Sequence, residues 1–368
     1  MMTSPAASRL AALREQPATQ EVDALLVAGP ENRRYLSGFT AGDPDAGILL
    51  ITQKRAWLLT DFRYQLWAVQ EAPDFEVVVY KESPGATLTD FLRDQQVRRL
   101  GFEAAYLTYG AYQRLTHAVA EAGLKVDWQP LEGTAEALRE VKTATELAAM
   151  RRALELSEAV LQDIARQLTP GLTERQVAWE IEKRLREAGA QALAFPAIVA
   201  AGPNSAMPHH QPGDYPLKEG EPIIIDMGAK LDGYCADLTR TYILGQPDEQ
   251  FRKIYRLVRQ AQEQAEKGLK AGMDSLAADA LARQVIDAAG FGDAFGHSLG
   301  HGVGLAVHEA PSLSPFKERS TMLKAESVVT VEPGIYLSGW GGVRLENMAR
   351  LKEDGAEVLN RFLEFYEW

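Results

Sequence analysis

The run Ile223-Ile224-Ile225-Asp226 sets a carboxylate directly after three isoleucines, in a stretch that reads as a buried β-strand. A carboxylate in an apolar strand is costly unless it is paired or holds a cation. The fold must therefore bring Asp226 a partner. A second run, Cys235-Ala236-Asp237-Leu238-Thr239-Arg240-Thr241, follows Asp232-Gly233, a tight hairpin signal. In an antiparallel hairpin with a two-residue loop, positions an odd number of residues apart share a face. Asp226 and Asp237 are eleven residues apart. The spacing predicts two carboxylates on one face of one hairpin, an economical way to hold a divalent cation.

Three of the six histidines, His297, His301 and His308, fall within the glycine-rich stretch Gly296–Gly304 and the Val307-His308-Glu309 that follows. Glycine lets backbone approach a ligand closely, and imidazole is a common metal ligand. Two further runs, Thr330–Tyr336 and Gly342–Asn347, each place a glutamate, Glu332 or Glu346, at the end of a β-type apolar segment. Pro208-His209-His210 lies in a Gly-, Pro- and Asn-rich loop over 202–213, a better binding loop than core segment. Singly, each residue reads as a turn, a cap or a surface ion pair; together they read as a site. Four carboxylates balance the charge of two divalent metals, which suits a dinuclear centre with a bridging hydroxide. Oxygen-rich ligands with one imidazole favour Mn²⁺, with Zn²⁺ or Co²⁺ as alternatives.

The 368 residues suit two or three domains. A net charge of −12 disfavours nucleic acid and anionic membranes as partners. One cysteine, Cys235, excludes an internal disulfide framework and a Cys-rich cluster. Met1 to Gly29 lacks the pattern of a signal peptide, and the apolar runs are too short to span a bilayer, so a cytoplasmic location is expected. Strand patterns at 22–30, 47–51, 56–60 and 75–80, with helical spacing at 87–97 and 108–122, predict an α/β domain over 1–133. From 134 to 368, helices at 144–167, 174–188, 248–268 and 274–289 interleave with strands at 197–201, 222–229, 233–243, 328–332 and 343–351. That order predicts an α+β domain on antiparallel sheet.

The ordered set Asp226, Asp237 (in DLTRT), His301 (in GHGVG), Glu332 (in VEPGIY) and Glu346 (in VRLEN) resembles the pita-bread metallopeptidases, and within them the Xaa-Pro peptidases, aminopeptidase P and prolidase. The runs YLSGFT (35–40) and TDFRY (60–64) are similar to the N-terminal domain of the same proteins. The resemblance implies a creatinase-like α/β N-terminal domain and a creatinase/aminopeptidase-like pita-bread catalytic domain. It implies that Asp226 binds one metal through both oxygens, that Asp237 and Glu346 bridge two, and that His301 and Glu332 complete the second. Glu332 would also carry a proton to the leaving nitrogen. His209 and His308 would stabilise the oxygen of the tetrahedral intermediate, and His297, with His209, would contact substrate. Arg344 would orient a ligand or bind substrate, unless it is a plain surface ion pair. His210 has no such match and reads as incidental.

Methionine aminopeptidases share the five ligands without the N-terminal domain, and creatinase-type enzymes have both domains without the metal set. The combination here implies peptide substrates with proline second, and a homodimer or tetramer. YLSGFT and TDFRY look more like small bacterial aminopeptidases P, so the expected activity is release of the residue before proline. Prolidase is the alternative, and a non-catalytic peptide-binding relative is a third reading. The segment 41–46 could alter the substrate entrance.

Overall fold

The computed structural model describes residues 4–80, 82–362 and 365–366; the outermost residues of both expected domains, 1–3 and 367–368, lie outside them. The chain divides into two compact units, Met1–Arg139 and Glu140–Trp368. The division falls after Arg139 rather than Gly133. Helix Thr134–Arg139 packs on helices Pro5–Arg14 and Pro30–Ser37, and Arg139 Nη1 donates to Asn32 Oδ1 at 2.7 Å.

The first unit is built on a six-stranded mixed sheet. From edge to edge it runs Glu76–Val79, Ala56–Thr60, Ile48–Thr52, Ala24–Val27, Arg99–Glu103, Asp127–Leu131. Ala24–Val27 pairs antiparallel with Ile48–Thr52 and parallel with Arg99–Glu103. Every residue of Ala24–Val27 is buried, as expected where a sheet is covered on both faces. The strands Arg99–Glu103 and Asp127–Leu131 were not expected. Gly101 in one and Pro130 in the other weaken a strand signal.

Among the described residues of the second unit, the named strands pair antiparallel. One sheet holds Ile198–Ala201, Pro222–Met227 and Leu238–Ile243; another runs Glu309–Leu313, Gly300–Gly302, Val328–Val331, Asn347–Lys352, Gly355–Val358. Helix Ala144–Ala165 is opened by a Thr143/Glu146 capping box and helix Glu174–Glu187 by Thr173/Gln176. Leu147, Met150, Leu154 and Leu161 of the long helix share a core with Ile223, Ile225 and Met227. On the other side, Phe251, Ile254 and Val258 of helix Glu249–Gly268 pack with Val329, Val331, Ile335 and Val343. No described helix is long and apolar enough to cross a membrane.

Three expected strands are interrupted, and the interruptions matter. The hairpin 222–243 keeps one register throughout, with Asp226 opposite Thr239 and Lys230 opposite Cys235, around Asp232 and Gly233, both at positive φ. It is broken at Gly228 and at Ala236-Asp237. A Cβ on Gly228 would lie 1.8 Å from the Ala236 carbonyl oxygen, so only glycine allows the strands this close. The expected strand 343–351 breaks at Leu345-Glu346, where the Glu346 N–H leaves the two-stranded sheet to bond Thr239 O at 3.1 Å. Within the glycine-rich stretch, Gly300–Gly302 is a strand inside the five-stranded sheet. A Cβ would meet Thr330 O from Gly300 and Ala310 O from Gly302, each at 2.1 Å.

Arg240 locks these pieces together. Its buried guanidinium donates to Thr239 O (3.0 Å), Glu346 O (2.6 Å), Asn347 Oδ1 (2.9 Å) and Phe362 O (2.6 Å). Arg240→Ala strands several buried acceptors, and each such group costs about 1–3 kcal/mol. Arg240→Lys keeps the charge but replaces the planar fork by a point donor. Thermal unfolding should show both variants clearly destabilised, the alanine more so; a melting temperature unchanged in Arg240→Ala would remove the residue from this role.

Candidate metal centre

Strand alternation turns Ile223, Ile225 and Met227 into the core and sends Asp226 to the opposite face. The unbroken register puts Asp237 on that same face, two residues before Thr239. Glu332 follows the last residue of strand Val328–Val331, and its N–H bonds Leu299 O at 2.9 Å, beside the strand that carries His301. Glu346 sits at the break between Gly341–Arg344 and Asn347–Lys352. Asp226, Asp237, His301, Glu332 and Glu346 thus meet in one cavity of about 590 Å³, which His209, His297, His308 and Arg344 also line.

Asp237, His301 and Glu346 each offer one atom within 4.8 Å of the other two. His301 Nε2 lies 3.6 Å from Asp237 Oδ2 and 3.4 Å from Glu332 Oε1. The other ring nitrogen, Nδ1, is 3.1 Å from Gly302 O. An Nδ1–H donating there leaves the Nε2 lone pair facing the carboxylates. Thr239 Oγ1 donates to Glu346 at 2.7 Å and Thr330 Oγ1 to Glu332 at 3.1 Å. Asp226 Oδ2 accepts from Arg344 Nη2 at 2.7 Å, while its Oδ1 is buried without a hydrogen-bond partner.

Burial first, then repulsion from neighbouring carboxylates, holds the Asp237 and Glu346 carboxyls well above the usual range. Burial pushes Glu332 up to about 8, with Asp226 adding to the rise against the pull of Arg344. Burial lowers His301 to about 4, helped by His308, whose ring centroid is 4.2 Å away. Without a cation, Asp237, Glu332 and Glu346 hold their protons more tightly than ordinary carboxyls, and the His301 imidazole is neutral near pH 7. A bound cation would replace those protons and supply a partner for Asp226 Oδ1. The donor set therefore fits divalent metal.

Arg344 is not a surface ion pair: it is 3 % exposed. Besides Asp226 it reaches Thr239 Oγ1 (3.2 Å) and the Tyr336 hydroxyl (2.9 Å). Burial works against its charge, but Tyr336, Asp226 and Glu332 hold its pKa above the usual value. The Tyr336 hydroxyl also lies 2.9 Å from His297 Nε2. Burial pushes Tyr336 up to about 12 and His297 down to about 4. His209 and His308 are exposed to the cavity.

Thr239, Thr330 and Tyr336 were not singled out from the sequence. Each threonine lies two residues along the chain from an acid just outside its strand, so the two-residue period alone was enough to flag it. Tyr336 stood inside the VEPGIY run without a distinguishing pattern.

Residues 148–353 match metallopeptidase family M24, and residues 9–141 match the creatinase/prolidase N-terminal domain. An Xaa-Pro dipeptidase structure from Bacillus anthracis superposes with a TM-score of 0.92 at 36% identity, covering 98% of this chain and 99% of that one. An X-Pro aminopeptidase structure from Thermotoga maritima gives 0.82 at 36% identity, covering 92% and 95%. The Xaa-Pro dipeptidase of Pyrococcus furiosus is 32% identical over 341 residues, 92% of this chain and 94% of its own.

Asp237 has a folded pKa raised above its unfolded value, which costs stability at neutral pH, so removing its carboxyl and removing a metal ligand have opposite signs. Asp237→Asn should raise the melting temperature of metal-depleted protein at neutral pH. It should also abolish the further rise that Mn²⁺ gives the unsubstituted protein, about 2.7 kcal/mol at a hundredfold excess over Kd. Calorimetry with and without Mn²⁺ reads both; melting indifferent to added metal in the unsubstituted protein would contradict the site.

Proposed function

The chain belongs to metallopeptidase family M24, and we propose that it is a metal-dependent Xaa-Pro dipeptidase, hydrolysing the bond before a C-terminal proline. The observation that carries this reading is the convergence of four carboxylates and a neutral imidazole on the cavity lined by His297 and Arg344. The sequence reading preferred an aminopeptidase P on the strength of YLSGFT and TDFRY. The Pyrococcus furiosus dipeptidase matches over 92% of the chain, a span that includes residues of the first unit. Similarity in those runs therefore does not single out an aminopeptidase. Both dipeptidases named above favour the narrower substrate, while the Thermotoga maritima structure keeps the aminopeptidase as the second reading.

In this proposal Asp226, Asp237, His301, Glu332 and Glu346 hold two divalent cations, Mn²⁺ by preference, with Zn²⁺ or Co²⁺ as alternatives. Bound metal lowers the pKa of water and polarises a carbonyl. The nitrogen of an Xaa-Pro bond carries no hydrogen and needs a proton to leave. Glu332 takes that proton from the attacking water and delivers it to the ring nitrogen. His209 and His308 donate N–H groups toward the oxygen that becomes negative as the carbonyl is attacked. His297, with Phe195 and Pro196, forms a wall of the proline pocket. Arg344 fixes Asp226 and carries positive charge into the cavity, where a substrate carboxylate can use it. The protein works on proline-containing peptides as a dimer or tetramer.

With Mn²⁺ supplied, Xaa-Pro should be hydrolysed faster than Xaa-Pro-Yaa, and chelation should remove both activities reversibly. The opposite preference would return the assignment to aminopeptidase, and no hydrolysis of either would defeat the peptidase reading. Glu332→Gln should lose about 10²-fold or more in kcat with a smaller change in KM, in samples whose metal content is verified.

A further inference from the structure

His209 makes no hydrogen bond among the described residues, so its ring is placed by the backbone of the loop that carries it. We propose that Glu174 and His210 are positioning residues that hold this loop, and with it His209, against the cavity. The inference rests on the peptidase reading for the role of His209 but not for the clamp itself.

Glu174 opens helix Glu174–Glu187, yet that helix start is already satisfied by the Thr173/Gln176 capping box. Its fully buried carboxylate turns to the loop instead. Oε1 accepts from Ala201 N at 2.8 Å and Asn204 Nδ2 at 3.0 Å. Oε2 accepts from Gly213 N at 3.0 Å and lies 2.8 Å from His210 Nε2. One carboxylate thus gathers four donors from four points along residues 201–213. A buried carboxylate needs such company, and donors to a charged acceptor make strong, directional bonds.

His210, incidental in the sequence, turns its ring to Glu174, and its side chain is 14 % exposed. The opposite side of the loop is tied to the strand bearing Arg344. Ser205 Oγ accepts from Gly342 N at 2.8 Å, and Pro208 O lies 3.4 Å from Arg344 Nη1. His209 therefore stands between two anchors. Loosening the Glu174 anchor frees the ring to wander while the acid cluster stays intact.

Glu174→Gln replaces one acceptor oxygen by an NH₂ that faces a backbone N–H in either orientation, that of Ala201 or that of Gly213. It should lower kcat about tenfold to a hundredfold, the range expected of a misplaced catalytic group. KM and the melting rise given by Mn²⁺ should stay near those of the unsubstituted protein. His210→Gln, which retains a side-chain N–H, should recover most of the activity lost in His210→Ala. In a His209→Ala background neither Glu174→Gln nor His210→Ala should cost anything further; additive losses would overturn the proposal. Histidine ring NMR gives a readout that needs no turnover. The His209 signal, identified by its loss in His209→Ala, should move in Glu174→Gln and in His210→Ala while those of His297 and His301 stay. An unmoved His209 signal refutes the clamp even if no peptide is cleaved, and inactivity of the unsubstituted enzyme with a moved signal refutes only the peptidase reading.

Discussion

Asp237 and Glu346 sit close enough to share one cation with His301, and burial together with neighbouring carboxylates raises the pKa of both. Like charges in a low-dielectric pocket repel strongly, so the acids do not draw one another together. The backbone brings them there, and Arg344, Thr239 and Thr330 hold individual members. The antiparallel pairing of Pro222–Met227 with Leu238–Ile243 fixes the two aspartates. The N–H of Glu346 on Thr239 O and the N–H of Glu332 on Leu299 O fix the glutamates. Cation binding then draws on a geometry already assembled rather than one it must organise.

That assembly requires strands to stop in particular places. Asp237, Glu332 and Glu346 each lie between two strand segments, at points where the chain passes from one sheet to another and the side chain can turn inward. A continuous strand would have sent alternate residues to opposite faces and kept these acids in separate sheets. Glycine makes the close approaches possible, at Gly228 beside Ala236 O and at Gly300 and Gly302 beside neighbouring carbonyls. The glycines around His301 serve the packing of a central strand at least as directly as access for a ligand.

Much of this was legible in the chain. Periodicity and turn chemistry located the long helices to within a few residues and the 222–243 hairpin with its shared face. The strand breaks were not legible, because they are set by contacts between segments more than a hundred residues apart, such as Thr239 with Glu346. Arg344 illustrates the same limit: its spacing two residues before Glu346 allowed either an orienting role or a surface pair. Only its burial and its bond to Asp226 decide between them. His210 reads as incidental in the sequence because its partner, Glu174, sits 36 positions earlier in an ordinary first helical turn.

Arg344 also joins two parts of the cavity that sequence treats as separate. Its guanidinium holds Asp226 at one end and the Tyr336 hydroxyl at another, and Tyr336 in turn meets His297. A planar, permanently charged fork can make these contacts at fixed angles, which a lysine cannot. The acid cluster and the wall proposed for the proline ring are therefore parts of one hydrogen-bonded frame. If the proline ring sits against His297 as proposed, its recognition and the placement of Asp226 would depend on the same few bonds, so a substitution of His297 should disturb the reacting end as well as substrate fit.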